Sequence, residues 1–191
     1  MTVSQSLIRA ARGFAVSAGL LGLTACATAS LPSQMVSAPG AVAPVAAGEG
    51  AYQRVRVGAV TGGSETNPLW MSNVSNGDFR TALEASLRGV NYLSDDPAKA
   101  NLEVTASIVD LQRPMAGIDM SVTSKIRYTA KPVGGGAAVF DDTVAATGTA
   151  KFGEALLAVE RLRRANEASI SANITEFIRR FRESQKTQGT Q

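Results

Sequence analysis

The chain has 191 residues, 19 basic against 16 acidic, with no histidine and a single cysteine. Those counts exclude Ser-His-Asp and Cys-His catalysis and leave no ligand set for a zinc site built on His or Cys. The formal charge of +3 falls to +1 once Arg9 and Arg12 leave with an N-terminal leader. That is far from the basic footprint of nucleic-acid binding, so no nucleic acid is expected as a partner.

Residues 1–25 read as a lipoprotein signal peptide. Arg9 and Arg12 supply the positive charge, and no acidic residue precedes Glu49. The apolar run at residues 13–23 suits a signal segment and is too short for a bilayer span, which needs roughly 20 residues. It ends in Leu23-Thr24-Ala25-Cys26, which fits the lipobox: Leu at −3, small residues at −2 and −1, then the cysteine whose sulfur is acylated. A diacylglyceryl thioether and an N-acyl chain on Cys26 are thus the only non-protein groups expected, and no intramolecular disulfide can form. At roughly 0.8 kcal/mol per buried CH₂, two or three acyl chains give durable membrane attachment. Ala27 stands where Asp would signal inner-membrane retention, so the expected location is the periplasmic face of the outer membrane. Residues 26–50 are rich in Ala, Pro, Ser and Gly without periodicity, and read as the lipidated Cys followed by a flexible tether. A free coil of that length spans roughly 25–30 Å.

Residues 51–191 have the size of one domain. Residues 52–60 alternate as a strand, with Val55, Val57 and Ala59 against Arg54 and Arg56. After Thr61-Gly62-Gly63-Ser64, a polar loop carries Trp70 and Met71. A helix is predicted over 77–89, with Phe79, Leu83, Leu87 and Val90 on one face, Asn76 as its cap and Gly89 at its end. Residues 102–111 form a clearer strand, with Leu102, Val104, Ala106 and Ile108 facing in. The alternation from Met120 to Thr129 and the segment 139–150, joined across Gly134-Gly135-Gly136, complete an antiparallel meander. A long helix, about 154–184, closes the domain on a stripe of Val159, Leu162, Ile170, Ile174, Phe177 and Phe181. A disordered polar tail is expected from about 185. The order β-α-β-β-β-α defines an α+β domain: a mostly antiparallel sheet with two helices packed on one face.

Little in this domain promises chemistry. Asp95-Asp96 before Pro97 suits a turn, and Asp141-Asp142 in a strand must point to opposite faces. Asp110 and Asp119 flank the 114–117 connection, where a cation site is the less favoured reading. Gly134-Gly135-Gly136 lacks the Lys-Ser/Thr and helix of a phosphate loop, and the Gly148–Glu154 stretch has Glu where Lys belongs. Arg163, Arg164, Arg179 and Arg180 interleave with Glu160, Glu167 and Glu176, which favours a solvated, ion-paired face. The alternative is contact with an anionic partner. Trp70 and Met71 read either as a lid over the core or as an exposed contact.

The lipobox, the Pro/Ala tether and this element order resemble small outer-membrane lipoproteins of envelope assembly. The nearest in layout are the LPS-assembly lipoprotein family (LptE-like) and YajG-like lipoproteins. The segments DFRTALEASLRGV and ERLRRANEASISANITEFIRRF look like the two helices of the former. The resemblance implies a membrane-anchored periplasmic accessory protein without enzymatic activity. Its expected partners are the membrane, through the lipid, and an envelope protein or lipopolysaccharide. The alternative is a periplasmic module binding a small ligand or the cell wall.

Overall fold

A computed structural model describes residues 27–67, 71–114 and 117–188. Leu23, Thr24, Ala25, Cys26 and Trp70 lie outside the described residues. The elements run α1 (Pro32–Met35), β1 (Val55–Thr61), α2 (Asn76–Gly89), β2 (Leu102–Gln112), β3 (Met120–Pro132), β4 (Phe140–Ala150), a 3-10 turn (Phe152–Glu154) and α3 (Ala158–Gln188). The α+β class is as the sequence predicts, with the short α1 added in front. Strand order is β1-β2-β3-β4. The β2–β3 and β3–β4 pairs are antiparallel, and β1 lies parallel to β2, so the sheet is mixed. Two parallel neighbours need a crossover connection, and α2 provides it.

Alternation along the strands sorts the two faces. Val104, Ala106 and Ile108 of β2, Val122, Ile126 and Tyr128 of β3, and Val144 of β4 are buried beneath the helices. The opposite face is polar, with cross-strand hydroxyl pairs Ser121–Thr149 and Thr123–Thr147 at 2.8 and 2.7 Å. The β2–β3 register slips between Ile108 and Asp110, and Val109 at the slip is exposed. Both helices share one core through Tyr128. Its ring stacks on Phe177 of α3, centroids 4.0 Å apart, and meets Phe79 of α2 at 6.4 Å.

Helix α3 approaches the sheet closely because Gly148 has no side chain. A Cβ at that position would lie 2.1 Å from the Ser169 amide nitrogen and 2.7 Å from the Ala165 carbonyl oxygen. The facing helix positions, Ala165, Ser169 and Asn173, are small or polar and fully buried. Asn173 satisfies itself by donating to Val144 O (2.9 Å) and Ser124 O (3.2 Å) and by accepting from the Tyr128 hydroxyl (2.9 Å). A buried amide with its partners in place costs little, whereas an orphaned one is expensive. Gly148 thus serves close packing of helix on strand.

Four sequence expectations shift. Ser75, not Asn76, caps α2: its hydroxyl accepts from the Asp78 N–H at 3.0 Å, while Asn76 turns back to accept from Gly63 N–H at 2.7 Å. Strand β1 begins at Val55 because residues 50–54 are turns, with Gln53 at φ 47°. Helix α3 begins at Ala158, not near 154. The turn at Phe152–Glu154 closes on itself when the Glu154 carboxylate accepts from Lys151 N–H, and Ala155 is then extended. At the other end α3 runs through Gln188, so the helix covers the start of the expected disordered tail.

The largest correction concerns residues 27–50. The expected tether is a strap that packs on the domain. Met35 is fully buried, and it, Val45 and Ala51 belong to the main core. Helix α1 lies over both α2 and α3. Backbone groups with no secondary-structure partner are satisfied by the body: Ser37 N–H donates to Ser86 Oγ (2.9 Å) and Val45 N–H to Val90 O (3.1 Å). Met35→Ala is expected to lower unfolding free energy by about 2–4 kcal/mol in urea titrations, the usual range for a buried Met. A free tether predicts a change below about 0.5 kcal/mol.

Candidate functional site

The strap follows α3 in a fixed direction. Leu31 N–H donates to Glu167 Oε1 (2.8 Å), Ser171 Oγ to Val36 O (2.7 Å), and Arg182 Nη1 to Ala43 O (2.7 Å). The Ser37 and Thr175 hydroxyls pair at 2.8 Å between these points. Strap and helix therefore advance together, and the first described residues lie toward the N-terminal end of α3. Ser30 N–H donates to Asn73 O there, beside the Ser72 carbonyl that accepts from Asn166 Nδ2. Ala27 is already buried.

The four arginines singled out from the sequence fall into two clusters, with Arg163 and Arg179 about 24 Å apart along the helix at 1.5 Å per residue. Arg163 forks onto Glu160 and also reaches Glu167 at 2.7 Å, with only 14% of its side chain exposed. Arg164 shares Glu160 at 3.2 Å. Arg179 binds Glu176 and Glu183, and Arg180 bridges Glu176 and Asp142, both at 2.7 Å. The Arg179 and Arg180 guanidiniums hold the Glu176 carboxyl down to about 2, the Arg179 hydrogen bond being the larger cause. Burial raises the Glu167 carboxyl against the pull of the Leu31 amide and Arg163. All four are ion-paired; Arg164 and Arg179 stand on the solvated side, Arg180 ties α3 to β4 through Asp142, and Arg163 with Glu167 is largely buried.

The remaining candidates separate. Met71 is partly exposed, and its Sδ accepts from Arg113 Nη1 at 3.0 Å. Asp141 pairs with Arg127 on the exposed face and Asp142 with Arg180 on the helix side, as the strand pleat dictates. Asp119 accepts from Phe152 N–H at 2.9 Å, and Asp110 stands opposite Lys125 in the ladder. Among the described residues, no group of three or more His, Cys, Asp or Glu could hold a metal. None of the described helices is long and apolar enough to cross a membrane. An open cleft of about 500 Å³ sits at the C-terminal end of α3, lined by Val45, Glu49, Tyr92, Arg182 and Gln185 among others.

Sequence reading missed one surface. Ile118, Phe152, Leu156 and Leu157 are exposed at 76, 49, 84 and 57%. Leu156 lies three residues before Val159 and so fits the apolar stripe of α3, which conceals that it precedes the helix.

No protein-family model and no curated protein matches the sequence. Among solved structures, the chain is similar in fold to protein XCC0632 of Xanthomonas campestris, family DUF330, with TM-score 0.55 at 8% identity. That alignment covers 78% of this chain and 95% of the other. Weaker likenesses are to a candidate lipoprotein of Caulobacter crescentus (0.49, 10% identity, 71% and 93% covered) and to a PelC dodecamer of Paraburkholderia phytofirmans (0.45, 14%, 74% and 95%). The XCC0632 likeness shows a shared fold and nothing about activity.

The ion pairs differ in what they do for stability. Arg163→Ala should destabilise by about 2–4 kcal/mol, because it strands the buried Glu167 carboxylate. Arg179→Ala, at an exposed site, should leave the urea midpoint essentially where it is in the original protein. Urea titration of both variants checks the contrast.

Proposed function

We propose that this protein is a lipid-anchored envelope protein, without enzymatic activity, that holds its α+β domain against the periplasmic face of the outer membrane. In this reading it acts as an accessory binding partner in envelope assembly or transport, as its resemblance to LPS-assembly lipoproteins implies. The observation that carries the proposal is the strap. The lipobox would place acyl chains on Cys26, and the next residue, Ala27, is buried in the body. Consecutive Cα atoms are about 3.8 Å apart, so an anchor on Cys26 would hold the domain at the membrane surface and in one orientation. The ion-paired arginines support a role that does not depend on bulk attraction to lipopolysaccharide phosphates.

Replacing Cys26 with Ser should abolish incorporation of radiolabelled palmitate, leave uncleaved precursor and remove the protein from the outer-membrane fraction. Acylated, membrane-bound product from that variant would refute the anchor. Extraction of the original protein in mild detergent should bring an envelope barrel or transporter with it, whereas capture of peptidoglycan alone would favour a cell-wall binding module.

A further inference from the structure

We infer that the exposed apolar end formed by Ile118, Phe152, Leu156 and Leu157 docks on the phospholipid bilayer that holds the Cys26 acyl chains. The inference rests on the lipid anchor proposed above and adds the surface through which the domain meets the membrane.

Three observations converge on it. The first is position. Phe152 N–H donates to the Asp119 carboxylate at 2.9 Å, which joins the segment bearing Ile118 to the turn bearing Phe152. Leu157 O accepts from Glu160 and Arg161 N–H, which places Leu156 and Leu157 at the very start of α3. Residue 31 of the strap sits at Glu167, about 10 Å up the helix axis from Glu160 at 1.5 Å per residue. Ser30 stays at that level through Asn73 O, beside Asn166, and the five residues from Leu31 back to position 26 span at most about 17 Å, so acyl chains on Cys26 are within reach of this end.

The second observation is that the apolar display is built. Arg161, itself 5% exposed, donates through Nη1 to the carbonyls of Ala155 (2.7 Å) and Leu156 (2.9 Å). Its guanidinium also lies 5.0 Å over the Phe152 ring. A buried cation spent on two loop carbonyls and an aromatic face fixes a segment whose leucines point away from the core. The third is chemistry. Four large apolar side chains exposed together mark an interaction surface. The neighbouring Asp119 and Glu154 offset Lys151 and Arg161, so apolar insertion and not polybasic attraction fits a shallow seat among headgroups.

The test uses the full acylated protein in vesicles of phosphatidylethanolamine and phosphatidylglycerol. Cys26 is the only native cysteine, and its sulfur would be blocked as a thioether. An NBD label on Leu156→Cys or Ile118→Cys therefore reports one position, and Thr147→Cys on the exposed sheet face is the reference. In vesicles that float with the protein, nitroxide-bearing lipids should quench the label at 156 and at 118 at least twofold more than at 147. Equal quenching at all three positions, with flotation intact, overturns the docking surface and leaves the anchor standing. A label at 156 that is shielded from water yet out of reach of lipid nitroxides also overturns it, in favour of a protein partner or a second copy. Failure of the original protein to float overturns the anchor, and the docking surface with it.

Discussion

Contact between the backbone of α3 and strand β4 at Gly148 is the constraint on which the rest of the molecule depends. Without a Cβ there, the helix settles far enough onto the sheet for Asn173 to reach Val144 and Ser124 and for Phe177 to stack on Tyr128. A helix held this near presents its other flank at a fixed height. On that flank Glu167, Ser171, Thr175 and Arg182 form the row of partners that receives the strap. Close packing, a satisfied buried network and the path of the N-terminal segment are therefore one structural fact seen at three depths.

The strap changes what a lipid anchor would do. A coil of 24 residues would let the domain wander tens of ångströms from its acyl chains. A packed strap fixes Leu31 at Glu167 in the N-terminal third of α3, so an anchor on Cys26 would be kept within a few residues' reach of the end where Arg161 holds Phe152 and the following loop in place. The cleft beside Tyr92 and Arg182 lies at the opposite end of the same helix, so an anchored domain would direct it away from the bilayer. This polarity follows from chain direction along α3.

Much of the fold was legible in the sequence because its signals were strong and local. Period-two alternation located β2 and β4 to within a residue and the start of β3, whose end lies three residues beyond Thr129, and the stripe from Ile170 to Phe181 located the last helix. The Asp141-Asp142 doublet separated to opposite faces because a pleat permits nothing else. What stayed hidden depended on tertiary context. The strap has no periodicity because it lies flat and irregular over two helices, and its small residues and prolines mimic the composition of a free linker. The start of α3 was obscured because Leu156 keeps helical spacing while Arg161 and the Lys151–Glu154 turn hold its segment out of the helix. Position 148 read as a weak phosphate-loop glycine, since nothing local reveals that a helix backbone will press against it. Of the candidate contacts, the arginines were visible as charges, but which carboxylate each one meets required the fold.

Backbone hydrogen exchange across the strap tests most directly whether the N-terminal segment is part of the folded body. The amides of Leu31, Ser37 and Val45 donate to the body, so they should exchange many-fold more slowly than a free coil, with protection that is lost together with that of α3 as urea rises. Exchange at coil rates from residue 27 to residue 50, with the core still protected, would contradict this account.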